Sequence, residues 1–178
     1  LGALPGSDRE RVQPLVEAFE AAGIRAAAEA DITAVEWTKF AGWVGYMALA
    51  VLTRLPTGDY VADPGAARVL ARIVREMAAL AAHEGVRVAN APLMPVVDIA
   101  AAGEDEAVAM ITAVGEQMRR RAPGHRMSAL QDVLAGRRLE VQETLGDALA
   151  RGRRHGLAMP ALALCYELVG AVDRGARR

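Results

Sequence analysis

The chain has 178 residues, 53% of them hydrophobic and 24% charged, and its 21 basic and 22 acidic side chains nearly cancel. That length buries the core of one sizeable domain. The arginines of 119–121, 151–154 and 177–178 are local clusters rather than a stripe, and the most apolar window is broken by Lys39 and ended by Arg54, so neither a nucleic-acid partner nor a membrane span is supported.

Cys165 is the sole cysteine and excludes an internal disulfide, while histidines at 83, 125 and 155 have no metal-ligand spacing. A reducing, cytoplasmic setting is the expectation. No basic, apolar, small-residue leader is present and the first residue is leucine, which leads us to expect further chain upstream.

In chain order, Leu1–Gly6 reads as the end of a short strand and a Pro-Gly turn. Ser7-Asp8-Arg9-Glu10 has capping-box spacing for a helix that runs to Ala22 and stops at Gly23, with Pro14 delaying or kinking its first turn. Residues 24–30 are compatible with a second strand. Strand, helix and strand of this size make half an α/β unit, too small for a core of its own.

From Asp31 the pattern turns helical. Asp31–Leu55 is one long apolar segment with a single internal lysine, Lys39; on a helix Lys39, Trp43 and Met47 recur every four residues and share a stripe. After Leu55-Pro56-Thr57-Gly58, Asp63 and Pro64 supply an N-cap and an N1 proline for a helix to Glu84, whose Val69, Leu70, Ile73, Val74, Met77 and Leu80 mark a core face. A loop follows over Val86–Pro95, then helices over Glu104–Arg121, Met127–Ala135, Leu139–His155 and Pro160–Val172. Residues 31–178 therefore read as a helical bundle.

Read alone, the polar residues of this bundle have plain roles. Lys39 reads as a snorkelling surface lysine, Ser128 as a helix N-cap with Gln131 in the capping-box position, and Glu140 as a first-turn acid. Trp43, Tyr46 and Met47 read as core or dimer contact, Cys165 as a small buried hydrophobe, and His83 and His155 as caps before helix-ending glycines.

Together they form an ordered set. It comprises Trp37-x-Lys39, Pro56-x-Gly58, Glu76 with Gly85, Ser128-x-x-Gln131-Asp132, Glu140 eight residues after that aspartate, Gly146, and Gly156 with Pro160. Over 31–178 the set resembles the C-terminal domain of ketopantoate reductase (2-dehydropantoate 2-reductase). The resemblance implies a mostly α fold, a helical bundle of the 6-phosphogluconate-dehydrogenase C-terminal-like type, preceded here by a short α/β remnant that looks like the tail of a Rossmann domain. It implies an NADPH-dependent oxidoreductase of pantothenate biosynthesis that reduces a 2-oxo acid to the alcohol, with a small-molecule substrate and a homodimeric assembly.

Under the resemblance Lys39 is the acid that protonates the oxygen as hydride reaches carbon, and Ser128 and Glu140 contact substrate. The chain departs from the family where asparagines are usual: Trp43 and Met47 stand four and eight residues after the lysine, and Thr57 stands near the Pro-x-Gly turn. An indole and a thioether remove hydrogen bonds that fix a small hydroxy-oxo acid and make the substrate pocket more apolar. No G-x-G-x-x-G phosphate loop occurs, so cofactor-binding residues are not recognisable in this chain. Two other readings stand beside the reductase: a helical domain doing cofactor-independent isomerisation or cyclisation on an apolar substrate, and an inactive dimerisation module. If Lys39 works in a pocket, Ser128 and Glu140 are expected to reach the same cavity, with Glu140 within ion-pair range of the lysine.

Overall fold

A computed structural model describes residues 1–4 and 6–176, with Arg9 described in its backbone alone. Pro5 of the expected Pro-Gly turn and the terminal cluster Arg177–Arg178 lie outside the described residues.

The N-terminal unit is slighter than its sequence suggests. A 3-10 turn over Arg9–Arg11 leads into α1 (Val12–Ala21), and Asp8, not Ser7, supplies the local side-chain acceptor, taking the Glu10 N–H at 2.9 Å. α1 itself has no side-chain cap and stops at Gly23, whose φ is +76°. The two expected strands reduce to one isolated parallel bridge between Gly2 and Glu29, because two short segments without a third have no sheet to join.

The bundle begins at Asp31, whose carboxylate accepts the Ala34 N–H at 3.0 Å and starts α2 (Ile32–Thr53). α2 is apolar nearly all round and is buried from Ala41 to Val51 apart from Trp43. It ends at Arg54, held in the left-handed region at φ 58°. The Pro56–Gly58 segment, expected as a turn, opens a five-residue helix, α3 (Thr57–Val61). Asp63 then caps α4 (Pro64–His83) through the Ala66 N–H at 2.9 Å, as the Asp-Pro pair predicts.

α4 is the central rod, packing against α2 and α3 and against α5, α6, α8 and α9. Its Leu70, Ile73, Val74, Met77 and Leu80 are fully buried. The expected loop over 86–95 contains a two-stranded antiparallel hairpin, β1 (Asn90–Ala91) with β2 (Met94–Pro95), turned at Pro92-Leu93. Pairs of residues are too short to show an alternating pattern, so periodicity has nothing to read there. α5 (Val96–Ala101) follows directly, then α6 (Glu104–Arg121) and α7 (Ser128–Leu134).

The single helix expected over Leu139–His155 is divided into a π-helical stretch (Gln142–Gly146) and α8 (Asp147–Arg154). The wider turn brings the Gly146 N–H to the Val141 carbonyl at 3.0 Å, and the Thr144 hydroxyl bonds back to the Glu140 carbonyl. α9 (Pro160–Ala176) outruns its expected end, and Glu76 of α4 takes its first free amides, Ala161 N–H at 2.8 Å and Leu162 N–H at 2.9 Å. Burial works against that carboxylate and raises its pKa, while the two amide bonds pull the other way. Among the described residues no helix is long and apolar enough to cross a membrane.

Candidate functional site

A cavity of about 710 Å³ opens along the N-terminal half of α2. Its walls come from Val35, Lys39 and Trp43 of α2, Thr57 of α3, the Ala89–Met94 hairpin, and Met118, His125 and Met127 around the end of α6. Asp31 and the caps that follow fix this arrangement, since they set the phase of α2 and hence which of its side chains meet the hairpin.

The cavity base is apolar in function as well as composition, because its polar atoms already have partners. The Tyr46 hydroxyl donates to the Leu93 carbonyl at 2.6 Å, tying α2 to the hairpin turn. The Thr38 hydroxyl donates to the Ala34 carbonyl at 2.7 Å and accepts the Ala89 N–H at 2.9 Å. Beneath them the Tyr60 hydroxyl donates to the Tyr46 carbonyl at 3.0 Å. Burial raises both phenols far above tyrosine's ordinary value, so both remain neutral donors.

On the opposite wall, Thr57 and His125 are paired twice. The Thr57 N–H donates to the His125 carbonyl at 2.7 Å, and the Thr57 hydroxyl lies 2.9 Å from imidazole Nδ1. Thr57 is 3% exposed while His125 is exposed, so a buried hydroxyl steadies a ring at the mouth. Lys39 is likewise exposed and on the cavity lining, and Glu29 reaches the rim from the N-terminal segment.

Behind Trp43 runs a line of contacts away from the cavity. Trp43 stacks with Phe40 at 6.4 Å between ring centroids, Phe40 meets Trp37 edge-on at 6.4 Å, and the Arg151 guanidinium sits 5.9 Å from the Trp37 ring. Arg151 in turn binds Glu84 at 3.0 Å and Asp147 at 2.8 Å. His155, expected as a cap on the last carbonyls of its helix, pairs instead through Nε2 with Glu84 at 2.9 Å, whereas His83 does bond back to a late carbonyl, that of Ala79.

The structure brings some of the sequence candidates together and separates others. Lys39 and Trp43 line the cavity; Met47, 1% exposed, is packed into the core below it and is not on its surface. Ser128 and Glu140 are both exposed and outside the lining, though Ser128 follows Met127, which is in the wall. Among the described residues Lys39 makes no ion pair, so the expected Lys39–Glu140 contact is not formed. Glu140 precedes the π stretch, on the side of the bundle where Arg138 and Gln142 surround a separate polar hollow. Ser128 also does not cap α7: Met127 is the N-cap, without a side-chain bond, and Gln131 reaches the Arg126 carbonyl at 3.1 Å. Cys165 is buried, and burial lifts its thiol to about 11, as befits a small core residue.

His125, Tyr46 and the hairpin entered the site without a sequence signal strong enough to place them. The one available cue was Thr57, standing where an asparagine is usual; its partner is distant in the chain and no local spacing points to it.

Residues 31–173 match the family model described as ketopantoate reductase PanE/ApbA C terminal. The chain is 29% identical over 177 residues to the 2-dehydropantoate 2-reductase of Halobacterium salinarum and 28% identical over 177 residues to that of Mesorhizobium japonicum. Each alignment covers 98% of this chain but 51% and 48% of the relative, so the chain spans about half the length of the curated relatives it matches. Among solved structures, 2-dehydropantoate 2-reductase from Methylococcus capsulatus superposes with a TM-score of 0.75 at 30% identity, covering 99% of this chain and 51% of that one. A D-mandelate dehydrogenase bound to NADH and anilino(oxo)acetate shares the fold, with a TM-score of 0.79 at 18% identity over 99% of this chain and 66% of its own.

Proposed function

We propose, since the chain belongs to the ketopantoate reductase family through its C-terminal domain, that it is the substrate-binding half of a nicotinamide-dependent reductase converting a 2-oxo acid to the alcohol. The observation that carries this reading is Lys39 on the wall of the 710 Å³ cavity; the resemblance gives that lysine the acid's role.

The chemistry follows from an ammonium at that wall. Reduction at a carbonyl carbon drives negative charge onto its oxygen; Lys39 Nζ stabilises that charge and delivers the proton that completes the hydroxyl. Trp43 and Leu93 exclude water from the reacting carbonyl, which strengthens the interaction. In this family a nicotinamide dinucleotide supplies the hydride. Residues of this chain do not fit that group: Gly2 and Gly6, the glycines before α1, lack the three-glycine spacing of a pyrophosphate turn, and a Cβ on Gly2 would meet Ile32. On this reading residues 1–30 are the tail of the nucleotide-binding domain and 31–178 the domain that holds substrate.

Ser128 is the stronger of the two remaining substrate contacts, because its neighbour Met127 is in the wall; Glu140 and Met47 have no comparable support. A dimeric assembly also fits: the Staphylococcus aureus ketopantoate reductase, 19% identical, is described as dimeric, and Leu164 and Leu168 leave an exposed apolar strip on α9. Sedimentation at micromolar concentration checks it, and a clean monomer removes it.

The test of the main reading is consumption of NADPH or NADH by the full-length protein with 2-oxo acids. Lys39→Ala is expected to lower kcat by about two to four orders of magnitude with a smaller change in KM. An unchanged kcat would sink the role of Lys39. Turnover of an apolar substrate without nucleotide would instead favour the isomerase or cyclase reading.

A further inference from the structure

The cavity separates its polar from its apolar groups by depth. Every polar side chain at the base is consumed: Tyr46 by the Leu93 carbonyl, Thr38 by Ala34 and Ala89, Thr57 by His125. The Asn90 side chain, which also borders the cavity, is spent on the Asp98 carboxylate at 2.9 Å and the Val97 N–H at 2.9 Å. A ligand hydroxyl buried there finds no partner and loses the bonds it made to water, whereas a hydrocarbon group loses nothing.

The free polar groups lie at the rim. Lys39 is exposed there, and His125 uses Nδ1 on Thr57 and keeps Nε2. In the tautomer where the Thr57 hydroxyl donates to Nδ1, and in the protonated ring, Nε2 carries a proton and is a donor suited to a carboxylate. Glu29 is the opposing charge at this rim. A ligand that satisfies both levels is anionic at one end and apolar at the other.

We propose that this cavity takes a 2-oxo acid with a bulky apolar tail that carries no hydroxyl, an aryl or plain branched alkyl group. Its carboxylate is bound at His125, its carbonyl lies beside Lys39, and its tail rests against Trp43, Leu93 and Met94. The inference rests on the reductase reading for the 2-oxo acid and on the satisfied base for the tail. His125 is then a substrate-binding residue, Thr57 the positioning residue that holds its ring, and Leu93 at the hairpin turn a determinant of specificity.

Calorimetric titration and steady-state reduction by the full-length protein, with phenylpyruvate, pyruvate and ketopantoate as probes, test it. Phenylpyruvate is expected to bind at least about tenfold more tightly than either small acid, the effect of burying an aromatic ring. Leu93→Ala, at an exposed turn residue whose loss threatens no core, narrows that preference about threefold or more. His125→Phe raises KM for all three acids by about tenfold with a smaller effect on kcat, and Glu29→Gln tightens all three.

Pyruvate or ketopantoate binding as tightly as phenylpyruvate, or no binding of any acid, overturns the proposal. If phenylpyruvate is preferred but no acid drives nucleotide oxidation, the cavity assignment holds and the reductase reading fails. If all three acids are reduced without preference, the reverse is true.

Discussion

Tyr46 shows how much of the site hangs on one side chain. It is 8% exposed, and its hydroxyl is the hydrogen bond by which α2 holds the hairpin turn at Leu93. Tyr46→Phe keeps the ring and deletes the donor, leaving the Leu93 carbonyl short of a partner, so we expect a loss of about 1–2 kcal/mol in urea unfolding near neutral pH. The same variant has a signature in alkali. The folded protein holds the Tyr46 proton above tyrosine's ordinary value of about 10 while the unfolded chain releases it there. The contribution is therefore complete below that pH and lost as pH rises through the folded value, and stability should fall less steeply above about pH 10 in Tyr46→Phe than in the parent. Equal slopes would show that the phenol is not protected.

At the scale of elements, α3 and α6 touch backbone to backbone. A Cβ on Gly58 would lie 2.7 Å from the Arg119 amide nitrogen, and one on Gly115 would lie 2.6 Å from the Val61 carbonyl carbon. Because the obstacle is main chain, it cannot rotate aside. Gly115→Ala is expected to destabilise by about 2–3 kcal/mol, read as a fall in thermal midpoint, and to shift Thr57 and with it the His125 ring. A neutral effect would mean the two helices are freer to separate than their packing indicates.

The elements were legible in proportion to their length and punctuation. α2, α4 and α6 begin and end within a residue or two of where Asp31, Asp63-Pro64, Gly85 and the 104–121 pattern put them, since caps and 3.6-residue periodicity are local signals. The hairpin, α3 and α5 are each shorter than two helical turns or a readable alternation, and the π stretch depends on how Gly146 meets Gln142. The site divided the same way. Lys39 and Trp43 were readable because one helix carries both, while Thr57–His125 and Tyr46–Leu93 join residues 68 and 47 positions apart, a relation no spacing rule contains.

For the whole molecule, the family match begins at residue 31, where we propose the boundary, and the two sides of it are unequal. α1 packs chiefly on its own lead-in turn and leaves Leu15 and Phe19 exposed, as is Ile24 beyond it, whereas the core cluster draws its residues from Ala41 to Val169. A chain beginning at Asp31 should therefore retain its helical circular dichroism and unfold cooperatively, with a midpoint within a few degrees of the longer chain, because it loses little buried apolar surface. Loss of cooperativity would make residues 1–30 part of the bundle rather than a neighbour to it.

The line from Trp43 through Phe40 and Trp37 to Arg151 makes the protein its own optical probe. Trp37 and Trp43 are the only tryptophans, and both sit on α2, so intrinsic emission reports one helix at two depths. Trp37→Phe leaves a single emitter against the cavity, whose spectrum should move to shorter wavelength when an apolar ligand displaces water and stay indifferent to salt. The complementary Trp43→Phe protein carries its emitter under the Arg151 guanidinium, and its yield should change as salt screens the Arg151–Glu84 pair while remaining blind to ligand. Emission that responds identically in both proteins would show that the two positions on α2 are coupled rather than separately addressed.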